Sequence, residues 1–146
     1  MLGGALALTA LAAWWQQRRD GAVRGADDAR QRTTTAVLEG LGVRPGEADL
    51  TVVQFSTAFC GPCRATRARL RQLQATRPGL VHVEVDAESH LDAVRALGVD
   101  RTPTLLYLDR EGRLVGRSSG APRPAELAAV VDAHVPAAAS QAGRHV

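Results

Sequence analysis

Apolar and polar positions follow several rhythms along the chain, and each predicts a different element. Residues 2–15 carry no charge, and their apolar side chains would surround a helix on every side. That pattern fits a buried or membrane-spanning helix and not an interfacial one, which needs a polar face. Trp14 and Trp15 close the run, followed by Gln16, Gln17, Arg18 and Arg19, the order found at the end of a membrane span. Fourteen helical residues rise about 21 Å, against a hydrocarbon core of about 30 Å. The two glutamines, snorkelling arginines and local thinning would absorb part of that gap, unless the true start lies upstream. A secretory signal peptide is the competing reading. It wants a basic stretch before the run and small residues at a cleavage site, where this chain has two tryptophans. Residues 1–19 are therefore expected to form an anchor helix, and residues 20–48 a linker leading into a domain.

Within 20–48, Thr35 to Leu41 fits either a short helix or an edge strand, and Arg44-Pro45-Gly46 signals a turn. Leu50 to Phe55 is rich in strand formers. From Cys60 to about Thr76 the pattern is helical, with Cys63, Ala68, Leu70 and Leu73 inward and Arg64, Arg67 and Arg71 on a solvated face. Pro78-Gly79 ends it. Leu80 to Asp86 alternates, with Val81, Val83 and Val85 on one side and His82, Glu84 and Asp86 on the other. Ser89 is placed to cap a short helix through Leu97. Pro103 to Leu108 reads as a continuous apolar strand, Asp109 to Gly112 as a hairpin turn, and Arg113 to Arg117 as the return strand. A last helix, about Pro124 to His134, turns Leu127, Val130 and Val131 inward, and 136–146 reads as a flexible tail. The order β-α-β-α-β-β-α defines an α/β domain over 49–135, with parallel strands joined by crossover helices and then an antiparallel hairpin.

Composition narrows the picture. A chain of 146 residues with 45% hydrophobic content has room for one packed core. Aromatics are only 3%, so that core rests on Leu, Val and Ala. All 18 basic residues are arginine, the net charge is +3, and the charges are interspersed. Nucleic acid binding calls for a concentrated basic stripe and is not expected; weak attraction to an anionic membrane surface is compatible with this charge. Arg18, Arg19, Arg24, Arg30 and Arg32 all follow the apolar run, which orients the domain to the cytoplasmic side of a single-pass anchor. Glu47, Asp49, Asp86, Glu88 and Asp109 read as surface or turn acids.

Two cysteines three residues apart, Cys60 and Cys63, carry the clearest chemistry. Two thiols do not complete a four-ligand zinc site, and His82, His90, His134 and His145 are scattered. A structural disulfide across so short a loop restrains little of the unfolded chain, which leaves a redox pair. Cys60 lies where a strand gives way to a helix. The free N–H groups and positive dipole end there favour its thiolate. Cys63 falls one turn further in, facing the core, and Pro62 has the φ that a first helical turn requires. Cys60 would attack a substrate disulfide, and Cys63 would then attack Cys60 and release the reduced substrate. Arg64 and Arg101 flank the motif, either as charges favouring the thiolate or as plain surface residues.

Val52-Val53-Gln54-Phe55 ahead of Phe59-Cys60-Gly61-Pro62-Cys63-Arg64, then Gly98-Val99-Asp100-Arg101-Thr102-Pro103-Thr104, and Gly120 before the last helix together resemble the thioredoxin superfamily over Leu50 to Val135. The resemblance implies a thioredoxin fold, a central mixed sheet with flanking helices. It implies a cis Pro103 beside the cysteines and a Thr102 backbone that pairs with substrate. Phe59, Gly61, Pro62, Thr102 and Pro103 would form the substrate-binding surface. It implies no cofactor beyond the Cys60–Cys63 disulfide and no metal, with protein thiols or disulfides and an upstream thiol reductant as partners of a monomer. The chain departs from the family pattern in having Phe59 for the usual Trp, Gln54 for a buried Asp that serves the inner thiol, and His82 for a Lys on the next strand. His82 or Glu84 is then a candidate for the proton transfer that Gln54 cannot perform, or simply a polar strand residue. The expected activity is reduction of protein disulfides. The alternatives are an extracytoplasmic oxidant, isomerase or cytochrome-maturation reductant, and a non-catalytic membrane-tethered redox-sensing module.

Overall fold

The structure, a computed structural model, describes residues 27–138. The chain divides into two compact units, Met1–Thr33 and Thr34–Val146. The expected anchor helix, 1–19, lies outside the described residues, as do 20–26 and the tail from 139. Among the described residues no helix is long and apolar enough to cross a membrane.

Helical residues 27–40 (α1) precede a 3-10 turn at Pro45–Glu47; then come β1 (Leu50–Ser56), α2 (Gly61–Gln74), β2 (Leu80–Asp86), α3 (Leu91–Ala96), β3 (Thr104–Asp109), β4 (Leu114–Ser119) and α4 (Pro124–His134). The stretch from Thr35, open between helix and strand in the sequence, is thus helical to residue 40. The four strands lie in the order β2-β1-β3-β4. β1, buried along its whole length, is central. It pairs parallel with β2, placing Leu50 beside Leu80 and Ser56 beside Asp86. It pairs antiparallel with β3, placing Phe55 beside Thr104, and β3 pairs antiparallel with β4.

The direction of β3 corrects the sequence reading, which ran it parallel to its predecessors. The cause is the length of α3. Six helical residues rise about 9 Å, whereas the seven residues of β2 span about 23 Å. The chain does not get back to the far end of the sheet, so β3 enters at the end where β2 left. That reversal brings the 100–103 segment to the carboxyl end of β1.

Side chains alternate across the sheet with the strand period of two and feed two cores. On one face Leu50, Val52, Leu80, Leu105 and Tyr107 pack with Leu70 of α2 and Leu127 and Val131 of α4. On the other, Val53, Phe55, Val85, Leu106 and Leu108 pack with Leu38 of α1 and Ala93 and Leu97 of α3. Leu38 and Val43, in the segment read as linker, are 2% and 1% exposed. Gly79 allows the close approach of β1 and β2, its carbonyl accepting from Asp49 and Leu50 N–H; a Cβ there would lie 2.1 Å from Asp49 Oδ2.

Other local expectations are revised. Ala68 is exposed and Thr66 is buried in its stead on α2. Ser89 does not cap α3, whose N-cap position is His90 without a side-chain bond; the Ser89 hydroxyl instead donates to Asp86, which also accepts from Glu88 N–H at 3.0 Å. Asp109 is buried, accepting from Arg113 N and Nε at 2.8 Å each, and so fastens the hairpin. Ala138, in the stretch expected to be a flexible tail, donates its N–H to the Thr76 carbonyl at 3.1 Å.

Candidate active site

The carboxyl ends of β1, β2 and β4, the start of β3 and the N-terminus of α2 meet at one end of the sheet, where open α/β folds place their ligands. Cys60 is the N-cap of α2, with extended backbone (φ −94°, ψ 101°), and its Sγ accepts from Cys63 N–H at 3.2 Å. One of the helix's unpaired amide donors is therefore aimed at the first cysteine. Pro62 occupies the first turn, where its missing N–H costs nothing. The two sulfurs are joined as a disulfide, with Cα atoms 5.2 Å apart. Cys60 is 9% exposed and Cys63 1%. The order of accessibility is the expected one, although Cys60 too is largely covered in this oxidised state.

Around the pair, Phe59 stands 98% exposed, and Gly61 and Pro62 are exposed. The Thr102–Pro103 peptide is cis. Thr102 is half-buried and Pro103 buried, and the Pro103 carbonyl accepts from Gly120 N–H at 2.8 Å. Gly120 has φ +86°, a left-handed conformation in which glycine is at ease. All five residues expected to form the substrate surface thus lie at this end of the sheet. Arg64 lies over Gly61, and Arg101 makes a long ion pair with Asp100 at 3.8 Å.

Behind the cysteines lies a polar network that the sequence did not disclose as a unit. Gln54 is fully buried. Its Nε2 donates to the Cys63 carbonyl at 3.0 Å and to Ser56 Oγ at 2.9 Å, and its Oε1 meets His82 Nε2 at 3.1 Å. Burial pushes the His82 imidazole below its ordinary value, against the pull of Glu84. Glu84 is held in a two-pronged pair by Arg67, whose guanidinium keeps that carboxylate below the usual glutamate range. Neither residue directly faces a cysteine sulfur through a hydrogen bond; His82 reaches Cys63 only through Gln54. Arg67, assigned to a merely solvated face, is the fixed partner of Glu84. Ser56 and Thr57 were also missed. Ser56 bonds Gln54, and Thr57 Oγ1 lies 3.4 Å from Thr102 Oγ1, across the gap between the two loops of the site. Their position in the strand-to-helix connection was the available signal. Among the described residues no cluster of side chains is arranged to hold a metal.

Comparison with known proteins agrees with this geometry. Residues 43–133 match the family model described as Thioredoxin. A thioredoxin of Pongo abelii is 32% identical over 72 residues, covering 49% of this chain and 68% of that protein. A thioredoxin H-type of Ricinus communis is 29% identical over 91 residues, covering 62% and 75%. The X-ray structure of Fasciola hepatica thioredoxin superposes with a TM-score of 0.56 at 29% identity, over 66% of this chain and 90% of that one. With a strand-to-helix cysteine pair, a cis proline facing it and a family match over most of the domain, the chain belongs to the thioredoxin family and is a thiol–disulfide oxidoreductase whose redox group is its own Cys60–Cys63 pair.

Proposed function

We propose that this chain reduces protein disulfides, with Cys60 as the attacking thiol and Cys63 as the resolving one. The observation that carries the reading is the asymmetry of the pair. Cys60 caps the helix, takes the Cys63 N–H on its sulfur and is the more accessible; Cys63 is sealed in the core. A thiolate at Cys60 gains an amide donor and the positive end of the helix. It displaces one sulfur of the substrate disulfide as a thiolate and becomes joined to the other. Cys63 then loses its proton to solvent and attacks Cys60 Sγ, expelling the second substrate thiolate and closing the disulfide seen here. Electrons pass from the dithiol to the substrate, and an upstream thiol reductant restores the pair. Phe59, Gly61, Pro62, Thr102 and Pro103 form the surface on which the substrate chain rests.

We propose further that residues 1–19 tether the domain to a membrane with the domain on the cytoplasmic side. The uncharged run ending in Trp14 and Trp15 and the arginines that follow support this.

The direction of electron flow is tested by the reduction potential of the full chain in mild detergent, equilibrated against dithiothreitol and read by thiol alkylation and mass. A value near about −270 mV is expected of a reductant. A value near about −120 mV, typical of a strong oxidant, would contradict it.

A further inference from the structure

The hydrogen bonds around Gln54 have a polarity that is fixed from one end. The Cys63 carbonyl is only an acceptor, so the carboxamide atom 3.0 Å from it is the NH2. Gln54 Oε1 consequently points the other way, and the ring nitrogen it meets, His82 Nε2 at 3.1 Å, is a donor. Neutral His82 therefore carries its proton on Nε2, and protonated His82 donates from the same atom. The Ser56 hydroxyl, free to rotate, accepts from Gln54 Nε2 at 2.9 Å and exerts no choice of its own.

We propose that His82 is a positioning residue for the resolving step: by holding the Gln54 oxygen away from Cys63, it keeps the positive end of the buried carboxamide turned toward the resolving cysteine. This rests on the two-step exchange proposed above. The argument is electrostatic. Gln54 is fully buried, where a side-chain dipole is little screened. With its NH2 toward Cys63, the dipole favours a negative charge developing on that residue as the thiol ionises. A preorganised dipole supplies this with no rearrangement at the moment of reaction. Without a donor at position 82, Gln54 Oε1 loses its partner in a buried site and the amide is free to turn, which would set its negative end toward Cys63. Cys60 is insulated from the change, since its sulfur takes its donor from the backbone of Cys63.

The charged groups facing His82 are Glu84 on its own strand and Arg67 and Arg71 on α2. Burial keeps the imidazole neutral at pH 7, and its Nε2 donates in both protonation states. The role is thus that of a donor, and the pH profile of resolution should carry no His82 inflection.

The test uses the reduced full chain mixed with a symmetrical aromatic disulfide. Attack by Cys60 releases one aromatic thiolate in a step that depends on protein concentration. Attack by Cys63 on the mixed disulfide releases the second in a step that does not. For each unit by which the Cys63 pKa rises, about tenfold of thiolate is lost and about threefold of nucleophilicity is regained, a net slowing of about threefold. His82→Val is expected to slow the second phase about threefold and leave the first unchanged. His82→Gln, which keeps an amide donor without a titrating group, is expected to restore the second phase. An unchanged second phase in His82→Val, equal slowing of both phases, or failure of His82→Gln to rescue would overturn the proposal. If the wild-type chain itself showed no second release, the exchange reading would fall and this proposal with it. Should His82→Val not fold, nitrogen NMR of the wild-type imidazole decides: a neutral ring protonated at Nε2 is expected, and one protonated at Nδ1 overturns the proposal.

Discussion

Cys60 and Cys63 differ in what surrounds them far more than in what they are. One sits at a helix start with a backbone donor on its sulfur, and the other is in the core with its carbonyl held by Gln54. The first environment was legible from the sequence, because a strand former run, a proline and a helical pattern locate a helix start within a few residues. The second was not. The contact among positions 54, 63 and 82 depends on the register of β1 against β2, and the parallel pairing that sets Val52 beside His82 and Gln54 beside Glu84 is a tertiary fact. The same holds for Arg67 and Glu84, which the alternating pattern of β2 marked only as polar. Their pairing makes a prediction. Because the folded-state pKa of Glu84 is lowered from its ordinary 4.5, the pair contributes stability above that pH and loses it as pH falls through the lower folded value. Thermal melts of wild type and Arg67→Gln should therefore differ at pH 6 and converge by about pH 3. A gap that persists at pH 3 would assign the difference to packing of the Arg67 stem.

The helices and strands were largely visible as elements, and the errors lie at their junctions. α2, β2 and α4 begin and end within about two residues of the pattern. The cap of α3 was misplaced because Ser89 had a nearer acceptor in Asp86. The direction of β3 was misjudged because helix length, and not helix presence, decides where a strand re-enters the sheet. α1 was left open because its inward residues are few, with Leu38 the one that enters the core fully buried. That gives α1 a measurable role. Leu38→Ala should cost about 2–5 kcal/mol, read as a lower urea midpoint at unchanged slope. Val81→Ala, at a 39% exposed position, should cost no more than about 0.5 kcal/mol. If Leu38→Ala were as mild as Val81→Ala, α1 would be peripheral to the domain.

Taken whole, the domain is a mixed sheet between two pairs of helices, α2 and α4 on one face and α1 and α3 on the other, with the redox pair at one end. Each part of the site is set by a long-range feature. The brevity of α3 delivers Pro103 to the end of β1 where Cys60 lies, and the β3–β4 hairpin returns Gly120 to bond Pro103. The claim on which the functional account stands is that Cys60 attacks and Cys63 resolves. The most direct measurement is to incubate the reduced full-length Cys63→Ser and Cys60→Ser variants with a disulfide-bonded protein and weigh the products without reductant. The account predicts a one-to-one mixed disulfide through Cys60 in Cys63→Ser and none in Cys60→Ser. Adducts of equal yield in both variants, or an adduct only in Cys60→Ser, would contradict it.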